Sequence, residues 1–248
     1  MGINIIMSKT VTLADVQNNS EFKSLIEASN DCLKALGYTE HGLRHVGYVS
    51  KTTANILSTL GFDERTVELG AIAGFIHDIG NAINRRHHGL TGAVLAYEIL
   101  IRMGMPPNEC ALIISAIGNH EEETGMPLNA IAAALILADK SDAHRSRVRR
   151  ETADVHDIHD RVNLAIKKNY LAIDKTKKII RLVIQMDSTS ATMEYLQIYL
   201  SRMVLSEKAA AYFGYWFELV INGNVINRRR PPSKADRPKA GETEVSEE

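Results

Sequence analysis

The sequence predicts a mainly α protein: an all-helical bundle followed by a small α+β domain. Three observations carry this. Apolar residues recur at three- and four-residue spacing through residues 20–150, with capping residues and glycines closing each run. β-Branched clusters and an Asn-Gly turn signal appear only after residue 160. The 248 residues are 45% hydrophobic and 24% charged, the balance of a chain that folds around a core.

The elements follow in order. Residues 1–19 read as a poorly ordered lead-in. Ser20 caps a helix carrying Phe22, Leu25, Ile26, Leu33 and Leu36, which stops at Gly37. A second helix runs from about Gly42 to Leu60 and stops at Gly61. Asp63 caps a third, through Val67, Ile72 and Ile76 to His77. A polar break with two arginines spans Gly80 to Arg86. The fourth helix covers His88 to Met103, and Pro106-Pro107 opens a fifth that ends near His120. After a loop over Glu121 to Pro127, a sixth runs from Asn129 to about Arg150, closing a helical domain at 20–151. Then Val162 to Ile166 and Ile179 to Met186 read as strands, and Ser188 to Gly214 as a helix. Trp216 to Ile221 and Val225-Ile226 read as a hairpin across Asn222-Gly223. These form the small domain at 160–228. Residues 229–248 are polar and contain proline, so a disordered tail is expected.

Charge and cysteine content narrow the function classes. Lys+Arg number 29 and Asp+Glu 30, so bulk charge argues for neither nucleic acid nor a membrane surface as partner. Cys32 and Cys110 cannot build a disulfide framework, which favours a reducing, cytoplasmic setting. The first ten residues lack the apolar stretch of a signal peptide, and no apolar run approaches the roughly 18 residues that span a bilayer.

The chemistry lies in polar residues placed where core residues belong. His45 continues the stripe Val49, Thr53, Ile56, Leu60. His88 continues Gly92, Leu95, Ile99; His120 continues Ile113 and Ile117; Asp139 continues Ile131 and Leu135. His77-Asp78 ends the apolar run from Ala71 to Ile76. A single inward histidine is an ordinary core residue. Four imidazoles and two carboxylates aimed into one bundle share a natural partner, a metal ion, because an unpartnered inward carboxylate costs several kcal/mol, in order of magnitude. Imidazole and carboxylate without thiolate suit Mn, Fe, Co, Ni or Zn. Six ligands exceed the needs of one hydrolytic ion, whereas two ions per chain, bridged by Asp78, use them all.

This set resembles the HD superfamily of metal-dependent phosphohydrolases over residues 40–150. Ala73-Gly74-Phe75-Ile76-His77-Asp78-Ile79-Gly80 is similar to that family's HDIG motif, and His45 precedes it at the family's spacing. Leu135-Ile136-Leu137-Ala138-Asp139 resembles its late aspartate. The resemblance implies His45, His77, Asp78 and Asp139 as ligands of a first metal. His88 and His120, similar to histidines of the HD-GYP branch, are implied for a second. Asn81 and Asn119 depart from that branch and its GYP tripeptide is absent, so a cyclic-di-GMP phosphodiesterase is not implied. His41 and His87 read as neighbours of the ligands, and His156 to Asp160 as a solvated linker.

Arg85, Arg86, Lys140, Arg145, Arg147, Arg149 and Arg150 add a positive rim. Of these, Arg85, Arg86, Lys140 and Arg145 are the candidates for gripping phosphate oxygens. Asp78 is the expected catalytic carboxylate, with His120, Lys140 and His144 the alternatives for protonating a leaving oxygen. The expected activity is phosphomonoester or phosphodiester hydrolysis by metal-activated water. The expected substrate is a small phosphorylated molecule such as a nucleotide or a cyclic or linear dinucleotide. A homodimer is compatible with the sequence. Two rival readings use the same residues: a di-iron oxygenase, and a non-catalytic metal- or nucleotide-binding regulator.

Overall fold

The computed structural model describes residues 10–149, 151 and 153–227. Nine α-helices and four strands are found among them. The chain is mainly α, as the apolar periodicity predicts, with a small sheet near its C-terminal end.

The first correction comes at the start. Residues 10–19 do not belong to a poorly ordered lead-in: α1 spans Leu13–Asn18, opened by a capping box between Thr12 and Asp15. Val11 and Val16 are buried in the core. Then α2 covers Ser20–Ala35, with Asn19 rather than Ser20 as its cap, and α3 covers Leu43–Leu60. Gly61 ends α3 at φ 90°, a left-handed conformation that glycine adopts without Cβ strain. Asp63 caps α4, Glu64–Ile76, through the Thr66 amide. A 3₁₀ turn, Ile79–Ala82, connects α4 to α5, His88–Arg102. Pro107 starts α6, Pro107–Gly118.

The central helix is α7, Ala130–Ser141, buried from Ile131 onward. Its run of small and branched apolar residues fits a helix surrounded on all sides. It stops well short of Arg150, and a 3₁₀ turn at Arg145–Arg147 follows. Val162 to Ala165 are not a strand either: α8 spans Ile158–Ala165, capped by Asp157. The residues expected to form a linker therefore initiate a helix, although His156 and Asp157 are exposed.

The sheet has order β1-β2-β3-β4, with β1 Ile166–Asp174, β2 Ile179–Met186, β3 Trp216–Ile221 and β4 Asn224–Val225. β1 and β2 are antiparallel, as are β3 and β4, while β2 and β3 run parallel. A parallel pair needs a long crossover, and α9, Thr192–Tyr212, supplies it. α9 packs on α7, so the C-terminal part rests directly on the bundle. Buried residues from Val11 to Ile221 form one continuous hydrophobic core. The expected tail, 229–248, lies outside the described residues. No helix among the described residues is long and apolar enough to cross a membrane.

Candidate metal centre

Four helices and one turn deliver six side chains to one point. His45 comes from α3, His88 opens α5, His120 follows α6, and Asp139 lies in the last turn of α7. His77 and Asp78 are adjacent, which a continuing helix would not allow, because successive side chains there diverge by about 100°. The chain solves this by ending α4 at Ile76 and placing Asp78 at φ −97°, ψ 1°, the bridge region between helix and strand. Ser29 on α2 donates to the carbonyls of Asp78 and Ile79, 3.1 Å each, and fixes the turn. Gly74 brings α4 against α3: a Cβ there would lie 2.8 Å from the Ser50 Cα.

The geometry divides into two groups that share Asp78. His45 Nε2 and His77 Nε2 lie 3.6 and 3.5 Å from Asp78 Oδ2, and 3.4 and 3.7 Å from Asp139 Oδ1. His88 Nε2 and His120 Nε2 lie 3.3 and 3.8 Å from the other oxygen, Asp78 Oδ1, and 3.1 Å from each other. All six residues are buried.

Every one of the four imidazoles has its Nδ1 against an oxygen that can only accept. The partners are Asp142 Oδ2 for His45, at 2.7 Å, and the carbonyls of Gly74, Arg85 and Ile117 for His77, His88 and His120. Nδ1 therefore carries the proton, and in the neutral rings Nε2 presents a lone pair. His45 Nε2 and His77 Nε2, both fully buried, have no hydrogen-bond partner among the described residues. Orphaned buried acceptors facing carboxylate oxygens fit a cation, and the donor set of imidazole and carboxylate suits a divalent transition metal. Groups drawn from His45, His77, Asp78, His88, His120 and Asp139 bring their ligand atoms within 4.8 Å of one another.

Charge follows the same logic. Burial works against ionised Asp78, but His77, His120 and His88 hold its carboxyl well below the usual range. Burial likewise opposes ionised Asp139, and Lys140, His45 and His77 overcome it. Burial works downward on His88, yet Asp78 and Glu121 raise it to about 9, so positive charge is favoured beside Asp78 Oδ1.

The remaining candidates separate. Lys140 is buried and pairs with Asp139 Oδ2 at 2.5 Å and Glu122 Oε1 at 3.2 Å, so it holds Asp139 in place. Arg85 lies beside the cluster, its Nη1 3.4 Å from the His88 ring nitrogens. Arg86 is exposed and His87 is an exposed left-handed residue at φ 60°. His144 and Arg145 are not brought to the cluster. His144 bonds Ser146 and the Lys167 carbonyl, and Arg145 bonds the Ile166 carbonyl and Asp187, because the 3₁₀ turn after α7 leads both toward β1.

Several contributors escaped the sequence reading. Asp142 orients His45 while receiving Arg44 and Arg147. Glu121 accepts from the Gly89 amide at 2.7 Å and faces His88 Nδ1. Asn81, read only as a departure, donates from Nδ2 to both the carbonyl and Oδ1 of Asp78, 3.0 Å each.

Residues 42–144 match the family model described as HD domain. The chain is thus similar to an HD domain over that stretch. Its matched span opens at Gly42, the cap of α3, and closes at His144, just beyond the last ligand helix, so it encloses all six residues of the cluster. The chain is also similar to proteins named Ribonuclease Y. That of Mycoplasma mycoides is 30% identical over 153 residues, 62% of this chain and 32% of that protein. That of Lawsonia intracellularis is 29% identical over 169 residues, covering 64% and 30%. That of Bacillus thuringiensis (strain Al Hakam) is 31% identical over 131 residues, covering 50% and 24%. The chain thus spans about a third or less of the length of these relatives.

Proposed function

We propose that this chain is a metal-dependent phosphohydrolase acting on a nucleotidyl phosphate ester. The observation that carries the reading is the convergence of four imidazole Nε2 atoms on the two oxygens of Asp78 and on Asp139 Oδ1. His45, His77, Asp78 and Asp139 would hold one divalent ion, and Asp78, His88 and His120 a second. Bound there, such ions supply a water activated near neutral pH and a Lewis acid for phosphoryl oxygens.

The protein's own contribution is positioning. Asp142 fixes the ring and tautomer of His45, and Lys140 fixes Asp139. Asn81 and Ser29 fix Asp78 and its backbone. Arg85 offers a guanidinium beside His88, where it can hold a phosphoryl oxygen. Placing His120 among the ligands removes it as a free proton donor, and the pairing of Lys140 with two carboxylates weakens that role for it. Similarity to proteins named Ribonuclease Y favours an RNA phosphodiester within the substrate class, a shift from the expectation that bulk charge gave.

The test is metal content measured with hydrolysis. The protein is purified without chelator and assayed with Mn, Co, Ni, Fe and Mg on bis-p-nitrophenyl phosphate, p-nitrophenyl phosphate, nucleotides and a short RNA. About two ions per chain with metal-dependent hydrolysis supports the reading. Bound iron with oxygen consumption and no hydrolysis selects the oxygenase. A metal-replete chain that binds a nucleotide tightly and hydrolyses nothing selects the regulator.

A further inference from the structure

A cleft of about 310 Å³ lies beside the cluster, between the α2–α3 connection, the Arg85 loop, α8 and α9. Its volume is at the lower end of ligand pockets. Two of its lining residues touch the cluster: Arg85 reaches His88, and the His41 ring centroid is 5.1 Å from that of His45.

Three guanidinium groups line it. Arg147 is fully engaged, donating to the Asp142 and Glu40 carbonyls and to His41 Nε2. Arg202, on α9, pairs with Glu122 Oε1 at 3.0 Å and lies 4.7 Å above the Tyr199 ring. Arg85 has no carboxylate partner among the described residues; it reaches Asn81, His88 and the face of Tyr38. A second, independent feature is Asn163 of α8, 1% exposed and lining the same cleft. Its Nδ2 donates to the His159 carbonyl and to Tyr199 Oη, while its enclosed Oδ1 has no hydrogen-bond partner among the described residues.

We propose that this cleft seats the unit adjoining the scissile phosphate, with a second phosphoryl group on Arg85 and Arg202. The inference rests on the hydrolase reading and gives its substrate class. Asp157 and Asp160 form the α8 wall, where they accept backbone N–H groups of His159, Asp160 and Asp154. Their charge repels an anion and directs it to the arginine wall. Arg202 and Asn163 lie outside the HD match, so the C-terminal part completes the site. Arg202 is joined to the cluster through Glu122, Lys140 and Asp139. Two sources share this chemistry: the next residue of an oligonucleotide and the outer phosphate of a nucleoside polyphosphate.

Titration calorimetry on the full chain with its metal tests this with three hydrolysis-resistant ligands. They are adenosine 5′-thiophosphate, α,β-methylene-ADP, and a phosphorothioate-linked diadenylate with a 5′-phosphate. At least one of the two-phosphoryl ligands should bind about tenfold tighter than the first, and Arg85→Gln or Arg202→Gln should each erase most of that preference. Arg202→Lys should restore part of it. Preference for the diadenylate names an oligonucleotide chain, and preference for methylene-ADP a polyphosphate. Equal affinity for all three, or a preference unmoved in both variants, overturns the proposal. If Arg202→Gln does not fold, Arg85→Gln alone decides. Because binding is read without turnover, an intact preference with no hydrolysis of any ester would overturn only the hydrolase reading.

Discussion

Gly80→Ala should separate the second ligand group from the first. A Cβ at Gly80 would lie 2.0 Å from the His88 carbonyl oxygen and 2.6 Å from the Gly92 amide nitrogen. Ordinary contact begins near 3.4 Å, so the first turn of α5 must retreat by about 1.4 Å. His88 begins that turn, and its Nε2 stands 3.3 Å from Asp78 Oδ1. Overpacking of this kind costs about 1–3 kcal/mol. The lower chain entropy of alanine in the unfolded state returns about 0.4–1 kcal/mol. The net loss, about 0–2.6 kcal/mol, lowers Tm by up to about 10 °C in a chain of this size. The effect on function should be larger, because a displacement near 1 Å at a reacting centre can cost about 100-fold. The assay pairs metal counting by mass spectrometry with kcat/KM on the best ester and a thermal melt. Gly47→Ala is the control: its Cβ meets nothing within 4 Å, so it should gain up to about 1 kcal/mol of helix stability. The reasoning is refuted if Gly80→Ala keeps wild-type metal content and kcat/KM.

The other predictions follow from single contacts. Asp142→Asn should weaken metal retention by about 10–100-fold, because it disturbs the group that orients His45; chelator competition measures this, and unchanged retention counts against the role. Asp78→Ala should remove metal and activity together, since both groups share that carboxylate; hydrolysis surviving in the variant would remove Asp78 from the centre. Arg161, then Ser190 and the Ala191 amide, lower Glu194 to about 2, and this pair ties α8 to α9. A carboxylate with a depressed folded pKa contributes stability above its unfolded value, near 4.5, and loses it as pH falls toward 2. Glu194→Gln should therefore flatten melting temperature against pH in that window, and an unchanged slope would place the acid sensitivity elsewhere.

How much of this was legible in the sequence depends on the kind of information each residue carries. His45, His88 and Asp139 were readable because each occupies an apolar stripe on one helix, where inward direction is a property of the helix itself, and His120 because it continues the stripe of α6 just past its end. Asp142 was not readable. It follows the end of α7, where no periodicity applies, and its partners Arg44 and Arg147 come from elsewhere in the chain. Asn81 appeared as a departure from a motif, yet it holds Asp78 by two hydrogen bonds that only the turn geometry creates. His144 and Arg145 failed for the opposite reason. Continuing α7 to Arg150 placed them near the late aspartate, but α7 ends at Ser141 and the turn sends them to β1. β1 itself was missed because its exposed Lys167 and Lys168 break the apolar alternation, and the Val162 cluster belongs to a helix that precedes it. Each failure thus falls where a helix stops. Inside a helix the sequence fixes which way a side chain points, whereas past its end direction depends on which partner is waiting. The cluster draws on both: His45, His88 and Asp139 sit within helices, while Asp78 sits on a turn that Ser29 and Asn81 must hold. Substitution at either of those two holding residues should therefore disturb both ligand groups at once, because each acts through Asp78.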